Sequence, residues 1–292
     1  MNLLEYLCVS NPKVSMILPV SKSEVSSRRS LPRRCRKFFN PQLPRRKIMS
    51  HPRLLITLCT YNEKENLPLL IPEILAQLPS AEVLVVDDNS PDGTGKLADE
   101  IAAKDPRVHV RHRAGKQGLG TAILAGFRYA IEHDYDFVLN MDADFSHHPR
   151  HLPALAELTD RCDVAIGSRY VPGGKAVGWS LARHFMSRGI NLYARWLLWL
   201  RTKDNSGSYR AYRVSKLKEL NLDRIRAKGY AFQEEILFRC RRVGCKMEET
   251  PIVFEDRRFG LSKINYKETL AALWVIFRLS IDNVTGVSVR AK

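Results

Sequence analysis

Asn140-Met141-Asp142-Ala143-Asp144-Phe145-Ser146-His147-His148-Pro149 closes an apolar run, Phe137 to Met141. The run has the length and composition of a buried strand, and the polar residues after it mark the strand's carboxyl end. Side chains at i and i+2 of an extended chain share a side, so Asp142 and Asp144 can aim both carboxylates at one point, with small Ala143 between them. Two close carboxylates repel unless a positive charge sits there. A divalent cation, Mg²⁺ or Mn²⁺, meets that need, because it takes oxygen ligands and keeps positions open for a diphosphate. Asp134-Tyr135-Asp136 has the same form but precedes the strand, where acidic residues solvate a turn. Position separates the two, since ligands of open α/β sheets bind beyond the carboxyl ends of strands.

Upstream, Leu54 to Cys59 reads as a strand broken by Thr60-Tyr61-Asn62-Glu63, and Asn66 is placed to cap a helix over Leu67 to Leu78. Glu82 to Val86 is a second strand, ending in the turn Asp87-Asp88-Asn89-Ser90-Pro91-Asp92-Gly93 before another helix. A third strand begins at Val108 to Val110. Lys116-Gln117-Gly118-Leu119-Gly120 then opens a helix over Thr121 to Glu132 and leads to the strand at Phe137. No complete G-x-G-x-x-G opens the first helix, so this glycine turn serves the fold rather than a dinucleotide. Strand and helix alternating over short connections implies right-handed βαβ units and a parallel sheet. Tyr61, Glu63, Asp88, Asp142 and Asp144 then lie along one sheet edge, where a nucleotide can be held.

Downstream, Val164 to Ser168 is a fifth strand ending at Arg169-Tyr170. Arg169 at a strand end suits phosphate; an ion pair with Asp160 or Asp163 is the structural alternative. Ala182 to Leu200 interleaves Arg183, Arg188 and Arg195 with Phe185, Tyr193, Trp196 and Trp199. Such a helix suits a membrane interface, or else a core helix whose arginines snorkel outward. Ser208 to Arg213 reads as a strand, Phe232 to Arg242 as a helix, Met247 to Phe254 as an edge strand and Tyr266 to Leu279 as a last helix. The apolar run Leu270 to Phe277 is too short to span a bilayer, so membrane contact would be peripheral. His147 and His148, before Pro149, read as a polar turn.

The formal charge is +16 over 292 residues, which raises the question of a polyanionic partner. Residues 1–50 carry seven Arg and four Lys against Glu5 and Glu24, a net +9, leaving +7 for residues 51–292. The excess is concentrated in a Ser-, Pro- and Arg-rich stretch without periodicity, which reads as disordered, as an Arg-rich targeting peptide, or as sequence ahead of a start at Met49. A nucleic-acid partner is disfavoured, because paired carboxylates repel a phosphate backbone. The six cysteines contain no C-x-x-C pair, and Cys240 and Cys245 lack two further zinc ligands, so reduced thiols of a cytosolic protein are expected.

From about Leu54 to Lys263 the chain resembles the dolichyl-phosphate mannosyltransferase family, inverting glycosyltransferases of family 2 with a GT-A fold. The resemblance rests on Thr60-Tyr61-Asn62-Glu63, Asp87 to Thr94, Gly118-Leu119-Gly120-Thr121-Ala122, Met141 to Pro149, Gly167-Ser168-Arg169-Tyr170, Ser187-Arg188-Gly189, Gly207-Ser208-Tyr209-Arg210, Phe232-Gln233 and Ser262-Lys263, in that order. It implies a basic extension over 1–50, a catalytic GT-A domain over 51–263 with an interfacial helix near 182–200, and an amphipathic helix and tail over 264–292. It also implies a mostly parallel Rossmann-like sheet flanked by helices, with no transmembrane helix. The implied donor is GDP-mannose, with Cys59, Tyr61, Glu63, Val86 and Asp88 on base and ribose. Asp142, Ala143 and Asp144 would meet the diphosphate through Mg²⁺ or Mn²⁺, with Ser146 at the metal, and Arg257 and Lys263 would stabilise the leaving group. Arg169, Arg183 and Ser187 would clamp the phosphate of a polyprenyl acceptor. Implied too are a place on the cytoplasmic face of a membrane and a small anchoring subunit. UDP-glucose or a polysaccharide acceptor is the alternative on the same fold. Relatives carry Pro where Cys59 stands, and Gln or Ser where Ser146 stands.

Overall fold

The computed structural model describes residues 52–256, 266–286 and 289–291. The extension over 1–50 lies outside them, as do Arg257 and Lys263. Ser50–Lys292 forms one compact unit.

Short apolar runs between turn residues produce the first half of the sheet. β1 (Leu54–Thr60), α1 (Leu67–Gln77), β2 (Glu82–Asp87), α2 (Thr94–Ala102), β3 (Val108–His112), α3 (Leu119–Glu132) and β4 (Phe137–Asp142) follow in turn. Then come α4 (Leu152–Leu158), β5 (Val164–Ser168), the two-residue β6 (Lys175–Ala176), α5 (Leu181–Leu197), β7 (Arg210–Arg213) and α6 (Val214–Lys218). The described chain closes with α7 (Phe232–Arg242), β8 (Met247–Pro251), β9 (Val253–Phe254) and α8 (Tyr266–Thr285).

Seven strands make one sheet in the order β3-β2-β1-β4-β7-β5-β8, and β6 pairs with β9 in a separate ribbon. All pairings in the large sheet are parallel except those of β7, which runs antiparallel between β4 and β5. The expected strand over Ser208–Arg213 therefore exists but reverses direction, and the expected single edge strand Met247–Phe254 is split at Ile252 between the sheet and the ribbon.

Period-two alternation fills both faces. Leu55, Leu84, Val86 and Val138 pack with Phe127 of α3 and Phe232 and Ile236 of α7. Ile56, Leu58, Val83, Val85, Leu139 and Met141 pack on the other face with Leu70, Ile71 and Ile74 of α1 and Leu152 and Leu155 of α4. Since α1 and α3 cover opposite faces, the winding reverses between β1 and β4, and a crevice opens there at the carboxyl ends of both strands. Register levels those ends: Cys59 stands beside Val86 on one side and Asp142 on the other.

The turn into α1 differs from expectation. Asn66 has helical backbone angles and caps nothing with its side chain; its amide donates to the Glu63 carboxylate at 2.7 Å. The first turn is closed instead by the Glu63 carbonyl, which accepts from the N–H groups of Asn66 and Leu67 at 3.0 and 3.1 Å. At the start of α3, Gly118 has φ +101°, and a Cβ there would fall 2.5 Å from the Lys228 carbonyl oxygen. That close approach seats α3 against the segment leading into α7, with the Gly120 N–H donating to the same carbonyl at 2.8 Å. Among the described residues, no helix is long and apolar enough to cross a membrane.

Candidate active site

A cavity of about 290 Å³ occupies the crevice at the strand ends. Its walls include Cys59, Tyr61 and Glu63 at the end of β1, Asp88 after β2, Asp142, Ala143, Asp144, Ser146 and His147 at the end of β4, Arg169 after β5, the start of α7, and Arg183, Met186 and Ser187 of α5. Of the sequence-predicted residues, Cys59, Tyr61, Glu63, Asp88, Asp142, Ala143, Asp144, Ser146, Arg169, Arg183 and Ser187 all meet here. Val86 does not line the cavity: its side chain is fully buried in the sheet core.

The two carboxylates hold different environments. Asp142 ends β4 with its side chain 31% exposed, and its Oδ1 accepts from the Ser208 hydroxyl at 2.7 Å. Asp144 is buried, and its Oδ1 accepts from the N–H and hydroxyl of Ser146 at 3.1 and 2.6 Å. Between Asp144 and Ser146 the backbone enters the left-handed region at Phe145, φ +65°, and the Phe145 side chain is anchored in the core. A non-glycine residue held there marks a loop fixed by its surroundings. No group of three or more His, Cys, Asp or Glu side chains converges on one metal position among the described residues. The donor set is therefore two carboxylates with hydroxyls, an open arrangement that suits a hard cation completing its shell with phosphate oxygens.

His147 is a buried member of the site rather than the polar turn residue the sequence suggested. Its ring stacks on Tyr209 at 4.8 Å between centroids, and its Nδ1 accepts the Asp142 N–H at 3.1 Å. Burial lowers its pKa against the pull of Asp142 and Asp144. The imidazole is thus neutral with its proton on Nε2, and the 3.6 Å separation of Nδ1 from the Asp142 carboxylate is no ion pair. Its work is to hold the backbone at the end of β4.

Arg169 pairs with neither Asp160 nor Asp163. It is bidentate on buried Asp204, Nε to Oδ2 at 2.8 Å and Nη2 to Oδ1 at 2.7 Å, while Asp163 takes Arg213. Burial alone would raise the Asp204 carboxyl, but Arg169 overcomes it and holds the pKa below the ordinary value. The Arg169 guanidinium also lies 5.2 Å from the Trp179 ring centroid, and Arg183 covers the same ring at 4.3 Å. The Ser187 hydroxyl is 2.7 Å from that of Tyr170. Three donors thus converge on one wall, with aromatic rings keeping water from their flanks.

On the other wall, Asp88 is buried and receives Arg113 Nη1 at 2.6 Å. Its pKa is raised by burial, which outweighs Arg113. Lys116 Nζ sits 4.4 Å from the Tyr61 ring centroid. Cys59, whose thiol is pushed far up by burial and then by Asp142 and Asp88, stays protonated and is no nucleophile. Behind the site, fully buried Arg210 donates to the Gln233 carbonyl at 2.9 Å and the Asp204 carbonyl at 3.2 Å. Glu234 beside it is pushed up to about 7 by burial, and its Oε2 has no hydrogen-bond partner among the described residues. Asp204, Glu234 and Arg113 were not singled out from the sequence, and Arg210 entered only as the last residue of the motif Gly207-Ser208-Tyr209-Arg210. Glu234 lies in α7, whose residues Phe232 to Cys240 are all buried.

The family model of Glycosyl transferase family 2 matches residues 55–220. The chain is 48% identical over 213 residues to an undecaprenyl-phosphate mannosyltransferase of Micrococcus luteus, covering 73% of this chain and 88% of that one. It is 44% identical over 242 residues to a polyprenol monophosphomannose synthase of Mycolicibacterium smegmatis, covering 80% and 91%. The fold is similar to that of glucosyl-3-phosphoglycerate synthase from Mycobacterium tuberculosis, solved with Mn²⁺, UDP and glucosyl-3-phosphoglycerate, at a TM-score of 0.55 and 18% identity over 81% of each chain. With its paired carboxylates at the end of β4 and its GT-A-like sheet, this chain belongs to glycosyl transferase family 2.

Proposed function

We propose that the chain transfers a mannosyl unit from GDP-mannose to a polyprenyl monophosphate, giving polyprenyl β-mannosyl phosphate and GDP. The observation that carries this reading is one cavity in which the carboxylates Asp142 and Asp144 share the space with the donors Arg169 after β5 and Arg183 and Ser187 of α5. The named relatives, a mannosyltransferase and a phosphomannose synthase acting on polyprenyl acceptors, support the choice of sugar and acceptor.

The residues divide the work. Tyr61, Glu63 and Asp88 at the ends of β1 and β2 receive the nucleoside. Asp142 and Asp144, with Ser146 behind Asp144, would hold Mg²⁺ or Mn²⁺, which would supply positive charge for the diphosphate leaving group. The assignment of Arg257 and Lys263 to the same charge rests on the sequence motif. Arg183 and Ser187 orient the acceptor phosphate, while Asp204 fixes the Arg169 guanidinium beside them. A monophosphate arrives already ionised, so it needs aim more than a general base. Neutral His147, with Nδ1 occupied by a backbone N–H, agrees with a site that works without one. Attack from the face opposite the diphosphate inverts the anomeric centre.

The acceptor's chain calls for a membrane surface. Leu181, Phe185, Trp196 and Trp199 on and just after α5 are 77, 75, 75 and 64% exposed, and Trp274 and Val284 of α8 are 64 and 79% exposed. Both helices also line the cavity, through Met186, Ile190 and Ala272. Peripheral binding on a cytoplasmic leaflet would bring the cavity mouth to the headgroups.

Labelled sugar transfer from GDP-mannose and, in parallel, UDP-glucose to a polyprenyl phosphate in detergent with Mn²⁺ tests the reading, with wild type and Asp144→Ala side by side. Mannolipid that falls at least about a hundredfold in the variant is the expected result. Glucolipid instead overturns the donor, and no lipid product from either donor overturns the reading.

A further inference from the structure

Beside the active site lies a second cavity, of about 320 Å³, between the loop after β5 and the outer side of α5. Arg169, Tyr170, Arg188, Asn191, Arg195 and Lys203 line it, and no carboxylate does. Arg169 is neutralised by Asp204 and Asn191 is tied to Ser187 and Asn205, which leaves three cations facing one space.

Many of the chain's arginines are paired with carboxylates. Arg53, Arg107, Arg111, Arg113, Arg128, Arg150, Arg161 and Arg213 each reach a carboxylate within 4 Å. Arg188, Arg195 and Lys203 are exposed and meet none among the described residues. Other exposed cations, Lys96, Lys104 and Arg201 among them, are likewise unpaired among the described residues; what sets these three apart is that they line one cavity that no carboxylate enters.

Helical phase supplies the second observation. Arg188, Leu192 and Arg195 fall at i, i+4 and i+7 of α5 and share a face. Directly beside them runs the exposed apolar stripe Leu181, Phe185, Leu192 and Trp196. Cations flanking an apolar stripe sit at headgroup depth when the stripe enters a bilayer.

We propose that this cavity binds the phosphodiester headgroup of an anionic bilayer lipid, distinct from the acceptor, and thereby fixes the rotation of α5 at the membrane surface. The proposal rests on the membrane-facing reading of α5 above. Arg188 and Arg195 clamp the phosphate from positions two turns apart, Lys203 closes the far side, and the lipid's acyl chains run along the apolar stripe.

Sedimentation with vesicles of phosphatidylcholine alone, and of phosphatidylcholine with phosphatidylglycerol, tests it on the full chain. Because the basic stretch 1–50 is present throughout, the decisive comparison is between wild type, Arg188→Gln/Arg195→Gln and the control Arg161→Gln. Each lost cation is expected to weaken binding to the anionic vesicles about fivefold, so the double variant loses roughly 25-fold. The control, which removes a cation paired with Glu248 elsewhere, keeps wild-type affinity. Transfer to detergent-dispersed acceptor and the unfolding midpoint are expected to stay unchanged in the double variant. Equal anionic-vesicle affinity of wild type and double variant overturns the headgroup site and leaves membrane binding intact. Failure of wild type to bind either vesicle overturns the membrane reading itself. Displacement of wild type from anionic vesicles by millimolar-range inorganic phosphate, at constant ionic strength, shows a small-anion site and overturns the lipid assignment.

Discussion

Asp204 and Arg169 show how far single residues here depend on one another. Asp204 is fully buried and its carboxylate accepts four hydrogen bonds, three from Arg169 and one from the Gly207 N–H. Asp204→Ala leaves a buried guanidinium uncompensated, and urea unfolding is expected to show a loss of about 3–5 kcal/mol; a loss below about 1 kcal/mol would contradict the pairing. Glu234 behaves in the opposite sense. Burial raises its pKa from 4.5 to about 7, so the folded chain keeps the proton to higher pH than the unfolded chain. Stability therefore declines as pH rises through the interval from about 4.5 to about 7 and is flat above it. In metal-free buffer, Glu234→Gln is expected to match wild type at the acid end of that window and to exceed it by up to roughly 3 kcal/mol at the alkaline end. Thermal melts across the window decide it, and parallel pH curves for the two proteins would refute the burial argument.

At the scale of elements, two contacts position the cavity. The amino end of α3 rests on the segment before α7 because Gly118 and Gly120 bring backbone to backbone; a Cβ on Gly120 would lie 2.8 Å from the Ala227 carbonyl oxygen and 2.8 Å from Phe232 Cβ. Gly118→Ala is expected to cost about 1–3 kcal/mol, from φ +101° and the Lys228 carbonyl together. Its loss should also lower transfer activity, because Gln233 and Glu234 follow that segment into the site; unchanged melting would sink this account of the contact. The second contact is the outward face of α5. Phe185→Ser/Trp196→Ser removes two exposed rings, so the unfolding free energy is expected to change by no more than about 0.5 kcal/mol. Vesicle binding should fall at least about tenfold. A large stability loss with unchanged vesicle binding would make α5 a packing helix instead.

For the whole molecule, the compact unit Ser50–Lys292 carries sheet and site together, so a chain starting at Ser50 is expected to keep its melting temperature and its detergent transfer rate within about twofold. The apolar runs determined β1, β2, β4 and β5 almost to the residue, because a parallel strand covered on both faces must be apolar throughout and a polar cluster must end it. The same logic placed Asp142 and Asp144 at a carboxyl strand end, and the order of the motifs identified the family. Local sequence could not say that β7 enters the sheet antiparallel between β4 and β5, since its pairing partners lie 44 to 76 residues away along the chain. Nor could it choose Asp204 for Arg169 over the nearer Asp160 and Asp163, turn His147 from a loop residue into a buried prop for β4, or set Glu234 facing the site. Periodicity reports which side of an element is buried. Which charge meets which across the cavity is decided by the tertiary structure alone, because burial makes every polar group seek a partner and only the closed fold sets who is within reach.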